Sequence, residues 1–200
     1  VSFLEGRGFF QDSTTLRVET KNGQEYVKFK YCIIAVGSHP AMPAAFDLGN
    51  KRVMTSREAL ELDEVPEKLL VIGGGYIGLE LGMVYSVLGS KVSLVEAQES
   101  ILTGADKDLA IPVLANVKSS FEKVLFSTKV EKMATKGKQI KVNYKKDSEK
   151  VEELYDKVLV SVGRSPNSEN LGLKDAGIDL DEKGFIKVDK SCQTSAANIY

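Results

Sequence analysis

The chain has 200 residues, room for one large or two small domains, with 27 Lys and Arg against 28 Asp and Glu and a net charge of −1. That balance, with no dense basic block, argues against nucleic acid as a partner. A 42% apolar content excludes a disordered chain, and no apolar run approaches the ~18 residues of a membrane span. The opening residues, Val1-Ser2-Phe3-Leu4-Glu5-Gly6, lack the basic start and apolar stretch of a signal peptide. They also lack an initiator Met, so the chain is expected to begin partway through something larger. Two distant cysteines, Cys32 and Cys192, are too few for a secreted disulfide scaffold. The expectation is a soluble cytoplasmic protein, or one of the mitochondrial matrix if eukaryotic.

In chain order, Phe9-Phe10, Thr15-Leu16-Arg17-Val18-Glu19 and Glu25-Tyr26-Val27-Lys28-Phe29-Lys30 read as short strands, with Asn22-Gly23 as a hairpin signal between the last two. Tyr31-Cys32-Ile33-Ile34-Ala35-Val36 is apolar throughout and predicts a strand buried on both faces. Residues 38–49 carry Pro40, Pro43 and Gly49 and read as a crossover between domains. Thr55 with Glu58 three residues later predicts a capped helix. Leu69-Leu70-Val71-Ile72, Val92-Ser93-Leu94-Val95 and Val158-Leu159-Val160-Ser161-Val162 read as buried strands, and residues 76–88 as a helix ending at Gly89. Asp106 is expected to cap a second long helix towards Phe121, with Pro112 inside it. Ile140, Val142 and Tyr144 alternate as in a half-exposed hairpin, and Phe185, Ile186 and Val188 predict a last strand. Strands alternating with helices in the middle imply an α/β class with a parallel sheet, Rossmann-like, flanked by β-rich segments of a second domain. The boundaries expected are 1–41, 42–167 and 168–200.

The strongest chemical signal is Gly73-Gly74-Gly75-Tyr76-Ile77-Gly78, a G-x-G-x-x-G between a buried-type strand and a helix. The following strand ends in Glu96, close to the ~20-residue separation of a dinucleotide-binding βαβ unit. Gly73 permits the tight turn, Gly75 lets a pyrophosphate approach the backbone, and Gly78 allows helix and strand to pack closely. The helix N-terminus offers free N–H groups and partial positive charge to phosphate. Glu96 stands where a carboxylate accepts bonds from ribose hydroxyls. A 2′-phosphate would meet its charge, so NAD(H) is expected over NADP(H).

These residues also carry a resemblance. Gly73-Gly74-Gly75-Tyr76-Ile77-Gly78-Leu79-Glu80-Leu81-Gly82, Leu88-Gly89-Ser90-Lys91-Val92 and Val162-Gly163-Arg164-Ser165-Pro166-Asn167 resemble the flavoprotein disulfide reductases, and among them the dihydrolipoamide dehydrogenases. Gly6-Arg7-Gly8-Phe9-Phe10, Ile33-Ile34-Ala35-Val36-Gly37-Ser38-His39-Pro40 and Gly184-Phe185-Ile186-Lys187-Val188-Asp189 are similar to further family segments in the same order. The resemblance implies that Gly73, Gly74, Gly75, Tyr76, Ile77 and Gly78 hold the NAD pyrophosphate and Glu96 the adenosine ribose. Val130 would line the adenine pocket and Gly163 would contact the cofactor. Tyr76 and Glu80 would lie near nicotinamide and flavin. Gly8, Val36, Gly37 and Ser38 match positions that contact FAD, although Val36 replaces the usual Thr and its hydroxyl. The implied partners are the lipoyl domains of 2-oxoacid dehydrogenase complexes and a second copy of the whole protein, which would be a homodimer.

The resemblance also implies a redox-active Cys-x4-Cys pair, which Cys32 and Cys192 do not form, and a base of the His-Pro-x3-Glu type. His39-Pro40 is followed by Ala44 where that Glu would stand, so His39 reads as a surface loop residue. No catalytic residue and no metal-ligand cluster is expected in this chain. The expectation is therefore an NAD-binding domain between two strips of a flavin domain, binding NADH without turning over lipoamide. Two other readings stay open. One is a sister flavoprotein, such as a mercuric reductase, an NADH oxidase or a soluble transhydrogenase. The other is a non-catalytic NADH-binding module.

Overall fold

The computed structural model describes residues 1–146 and 149–200. Two units make up the chain, Val1–His39 with Arg164–Tyr200 in one and Pro40–Gly163 in the other. The first begins with an antiparallel sheet of β1 (Arg7–Asp12), β2 (Thr15–Thr20) and β3 (Gly23–Lys28). Gly23, at φ +123°, pairs with Thr20, so the expected hairpin forms with Lys21 and Asn22 at its tip. Phe10 and Val18 point inward, and Phe10 meets Phe29 edge to face at 6.1 Å between ring centres.

The next segment departs from expectation. Residues 31–36 form no buried strand. Cys32 makes an isolated parallel bridge to Ile199, with Cys32 N–H donating to Asn198 O and Ile34 N–H to Tyr200 O. Tyr31 and Ile33 are 63% and 79% exposed. An apolar run becomes a buried strand only where both edges are paired and both faces covered. Among the described residues this run is paired along one edge. The short β4 (Ser38–Pro40) follows, so the crossover opens with a strand where a loop was expected, and His39 lies within it.

The second unit contains β5 (Val53–Met54), α1 (Ser56–Glu61), β6 (Lys68–Ile72), α2 (Tyr76–Val87), β7 (Lys91–Val95), α3 (Lys107–Ser120) and β8 (Lys123–Leu125). A three-stranded antiparallel meander then follows, β9 (Lys129–Lys136), β10 (Gln139–Lys146) and β11 (Glu149–Tyr155), before β12 (Lys157–Val160). The core is a parallel sheet in the order β5-β12-β6-β7-β8, the α/β architecture that the alternation of elements implies. Its two faces explain the apolar strands. Leu69, Val71, Val92 and Leu94 pack with Leu79, Tyr85 and Phe121 of the helical side, while Leu70, Ile72, Val95, Val158 and Val160 pack with Met133, Ile140 and Val142 of the meander. Ile140, Val142 and Tyr144 are buried, as their alternation requires.

The two helix starts differ. Thr55 accepts from Arg57 N–H while the Glu58 carboxylate accepts from Thr55 N–H at 2.8 Å, a complete capping box. Asp106 occupies the N-cap position of α3, but its side chain makes no capping bond, contrary to expectation. Pro112 lies inside α3 without ending it. β12 stops at Val160, two residues before the run expected from its apolar pattern, and β13 (Arg164–Pro166) pairs with β4. The strand expected at Phe185 to Val188 is also absent. Leu180 and Ile186 make an isolated bridge around a tight turn in which Asp181 Oδ1 accepts from Lys183 and Phe185 N–H, so a local side chain takes the donors that a ladder would need.

A polar knot ties the meander to the sheet. Glu153 of β11 accepts from Lys123 Nζ of β8 at 2.7 Å and from the Tyr155 hydroxyl at 2.6 Å. Burial pushes the Glu153 carboxyl up, but the Lys123 ammonium and the Tyr155 hydroxyl more than offset this and leave it below its ordinary value. Burial, with Glu153 adding to it, raises the Tyr144 hydroxyl to about 12. A carboxylate with a depressed folded-state pKa adds stability above its unfolded value, and loses it as pH falls through the folded one. Glu153→Gln should therefore show a smaller loss of urea stability than the wild type on acidification from neutral pH through the carboxylate range. Thr55→Ala should cost about 1 kcal/mol in the same assay, and Asp106→Ala less than about 0.5 kcal/mol.

Candidate functional site

The site is built by strand register. Ile72 of β6 pairs with Val95 of β7 on one side and Val160 of β12 on the other. The residues immediately beyond, Glu96, Gly73 and Ser161, therefore emerge side by side at the carboxyl end of the parallel sheet, where open α/β sheets place their ligands. Gly73 turns the chain at φ +107°, a conformation open to glycine. A Cβ on Gly73 would lie 2.5 Å from Ser161 O, so the position is closed to a side chain by contact as well as by conformation.

Accounting for the backbone shows where bonding ends. Gly73 N–H donates to Val95 O at 2.9 Å, and the Ser161 hydroxyl reaches Gly73 O at 3.2 Å. Gly74 N–H donates to Glu96 Oε2 at 2.6 Å, and Gly74 O accepts from Leu102 N–H at 2.9 Å. The turn is saturated through Gly74. The first bond of the α2 helical ladder is Leu79 N–H to Gly75 O, so the amides just before Leu79 lack acceptors within the helix. Gly75 is the N-cap without a side-chain bond, and no acidic residue stands in the first turn. A Cβ on Gly75 would meet no atom within 4 Å. The result is an open, electropositive helix start suited to an anion.

Gly78 performs the packing role expected of it, because a Cβ there would overlap the Gly73 carbonyl oxygen and press on Val71. Tyr76 is 61% exposed and Glu80 is exposed one turn later, so these two share the open face of α2, while Leu79, Gly82 and Tyr85 face the core and Ile77 is half-buried. Glu96 also accepts from Gln98 N–H at 2.7 Å, and its backbone carbonyl receives Thr128 N–H at 3.0 Å, which brings the start of β9 alongside. Val130 is half-buried in the meander-side core. Gly163 is exposed at φ +141°, and its carbonyl accepts from Ala41 N–H.

In the other unit, Gly8 lies in β1 opposite Val18. The Asn167 amide donates to Val36 O at 2.9 Å, Asn167 N–H donates to Gly37 O at 3.1 Å, and Arg164 donates to both the hydroxyl and the carbonyl of Ser38 at 2.7 and 2.6 Å. Val36 is 42% exposed and offers no hydroxyl. His39 Nδ1 lies 2.7 Å from Asn167 Oδ1. Cys32 is half-buried, with its thiol pushed up by burial, and Cys192 is exposed. Neither is in a disulfide. Sequence reasoning assigned no role to Ser161, Leu102, Arg164 or Asn167. Ser161 carried one available sign, a polar residue ending an apolar strand.

A family model described as pyridine nucleotide-disulphide oxidoreductase matches residues 3–200. The chain belongs to that family. Dihydrolipoyl dehydrogenases of Staphylococcus aureus and Vibrio parahaemolyticus are 38% identical over 200 residues and 39% over 201, spanning 100% of this chain and 42% of each relative. Among solved structures, the HOCl-induced flavoprotein disulfide reductase RclA from Escherichia coli matches with a TM-score of 0.83 at 29% identity. LpdA from Mycobacterium tuberculosis matches with 0.85 at 26%, each match spanning 98% of this chain and 44% of the other. The chain thus spans less than half the length of these oxidoreductases. Among the described residues, no helix is long and apolar enough to cross a membrane.

Two glycines of the turn should separate folding from access. Gly78→Ala should cost about 1–3 kcal/mol in chemical unfolding, because backbone atoms must move. Gly75→Ala, where space is open, should cost less than about 1 kcal/mol.

Proposed function

We propose that this chain is the NAD(H)-binding central part of a dihydrolipoamide dehydrogenase. One observation carries the reading: the bonded backbone ends at Gly74, and free amides begin at Gly75, beside the Glu96 carboxylate. The residues fit the cofactor. Unpartnered N–H groups and a glycine without a side chain suit a pyrophosphate. Glu96 accepts two backbone N–H bonds, and a carboxylate has about four acceptor positions, so capacity remains for ribose hydroxyls. The bound dinucleotide would supply hydride-transfer chemistry. This chain would supply orientation, with the turn seating the phosphates, Glu96 selecting the ribose, Val130 bordering the adenine, and Gly163 lying against the cofactor. Tyr76 and Glu80, together on the open side of α2, would lie near the nicotinamide and the flavin, with Tyr76 covering the isoalloxazine until NAD displaces it.

The wider reading concerns the whole protein. It would oxidise dihydrolipoamide carried by the lipoyl domains of 2-oxoacid dehydrogenase complexes, with NAD as acceptor, and would act as a homodimer. Gly8, Val36, Gly37 and Ser38 would form one strip of an FAD seat. The dihydrolipoyl dehydrogenases at 38–39% identity support dihydrolipoamide as substrate over the chemistries of sister flavoproteins. In this reading the redox cysteines and the base are not residues of this chain, so NADH binding occurs here without lipoamide turnover.

Fluorescence titration tests the reading. The chain should bind NADH more tightly than NADPH by about ten-fold or more, and Glu96→Ala should weaken NADH by about ten-fold while narrowing the preference, in line with the loss of hydrogen bonds to a charged group. Equal affinity for the two dinucleotides would remove the role given to Glu96, and no NADH binding would remove the reading itself.

A further inference from the structure

Three consecutive glycines, Gly73-Gly74-Gly75, make the most conformationally free stretch a chain can have, and fixing it costs the most entropy. A turn of this composition does not hold its own shape, so partners must hold it. The Gly73–Gly74 peptide is one rigid plane. At one end its N–H is bonded to Glu96 Oε2 at 2.6 Å. At the other, its carbonyl lies 3.2 Å from the Ser161 hydroxyl. That hydroxyl also lies 2.9 Å from Ile72 O, but Ile72 O already receives the Ser161 N–H at 2.9 Å. The carbonyl that depends on the hydroxyl is Gly73 O, and a half-buried carbonyl favours the proton being shared with it.

We propose that Ser161 is a positioning residue for the dinucleotide turn, clamping the Gly73–Gly74 peptide from its carbonyl end while Glu96 clamps it from its N–H end. This rests on the NAD(H) reading above and adds to it a residue from β12. With the plane held at both ends and Gly74 O held by Leu102 N–H, the direction of the free Gly75 amide is set before any anion arrives. The clamp spans the sheet, because Ser161 and Glu96 follow the two strands that flank β6. Glu96 therefore has two tasks, and Ser161 one that touches no ligand.

The test compares Ser161→Ala with Ser161→Cys in the full chain, the thiol being a weak donor of similar size. NADH affinity is read by fluorescence, and amide exchange by NMR at Gly74 and at Val142 in the meander core. Ser161→Ala should weaken NADH about five-fold and speed Gly74 exchange about five-fold, the scale of one neutral hydrogen bond, with Val142 exchange unchanged and Ser161→Cys intermediate. A merely structural role would move Val142 as well, and that result would overturn the proposal. So would unchanged Gly74 exchange. If Ser161→Ala does not fold, Ser161→Cys carries the same comparison. Absence of NADH binding by the wild-type chain would defeat the NAD(H) reading, while the exchange data would still decide the clamp.

Discussion

The structure depends on the register at the carboxyl ends of three adjacent strands. Ile72 stands level with Val95 and Val160, so whatever follows these residues meets at one point. Hydrophobic burial enforces this register. Residues of β6 alternate between the helical core and the meander core, and a slip by one residue would exchange the two sets. The chemistry of the turn is thus set by the packing of side chains that never touch a ligand.

From that alignment comes a division of labour along a few residues. Gly73 and Gly74 spend all their polar groups on the protein, whereas the N–H groups after them find no acceptor within the helix until that of Leu79. Gly78 keeps the helix close enough to the strand for this to hold, since any side chain there would displace the Gly73 carbonyl. Preorganisation of this kind reduces the ordering cost at binding. It also explains why Glu96 is bonded to the loop without a ligand, as the carboxylate has acceptor positions for both tasks.

What could be read from the amino-acid sequence followed the range over which the physics acts. The capping box at Thr55, the glycine turn, and the alternating Ile140, Val142 and Tyr144 are local patterns, and each is where the pattern placed it. Residues 31–36 and Phe185 to Val188 are also local patterns, but apolarity states a preference for cover and cannot supply the neighbours. The partners of the turn and of Ser38 escaped notice because Ser161 lies 88 residues from Gly73 and Arg164 lies 126 from Ser38. Asp106 shows the limit of motif reading, with the right residue at the right position and no capping bond.

The most direct test of the account is backbone amide NMR of the chain during NADH titration. The free amides at the start of α2, Gly75, Tyr76 and Ile77, should show the largest shifts, while Gly73 and Gly74, already bonded, shift little. NADH binding with the largest shifts elsewhere, or with Gly74 released from Glu96, would contradict it.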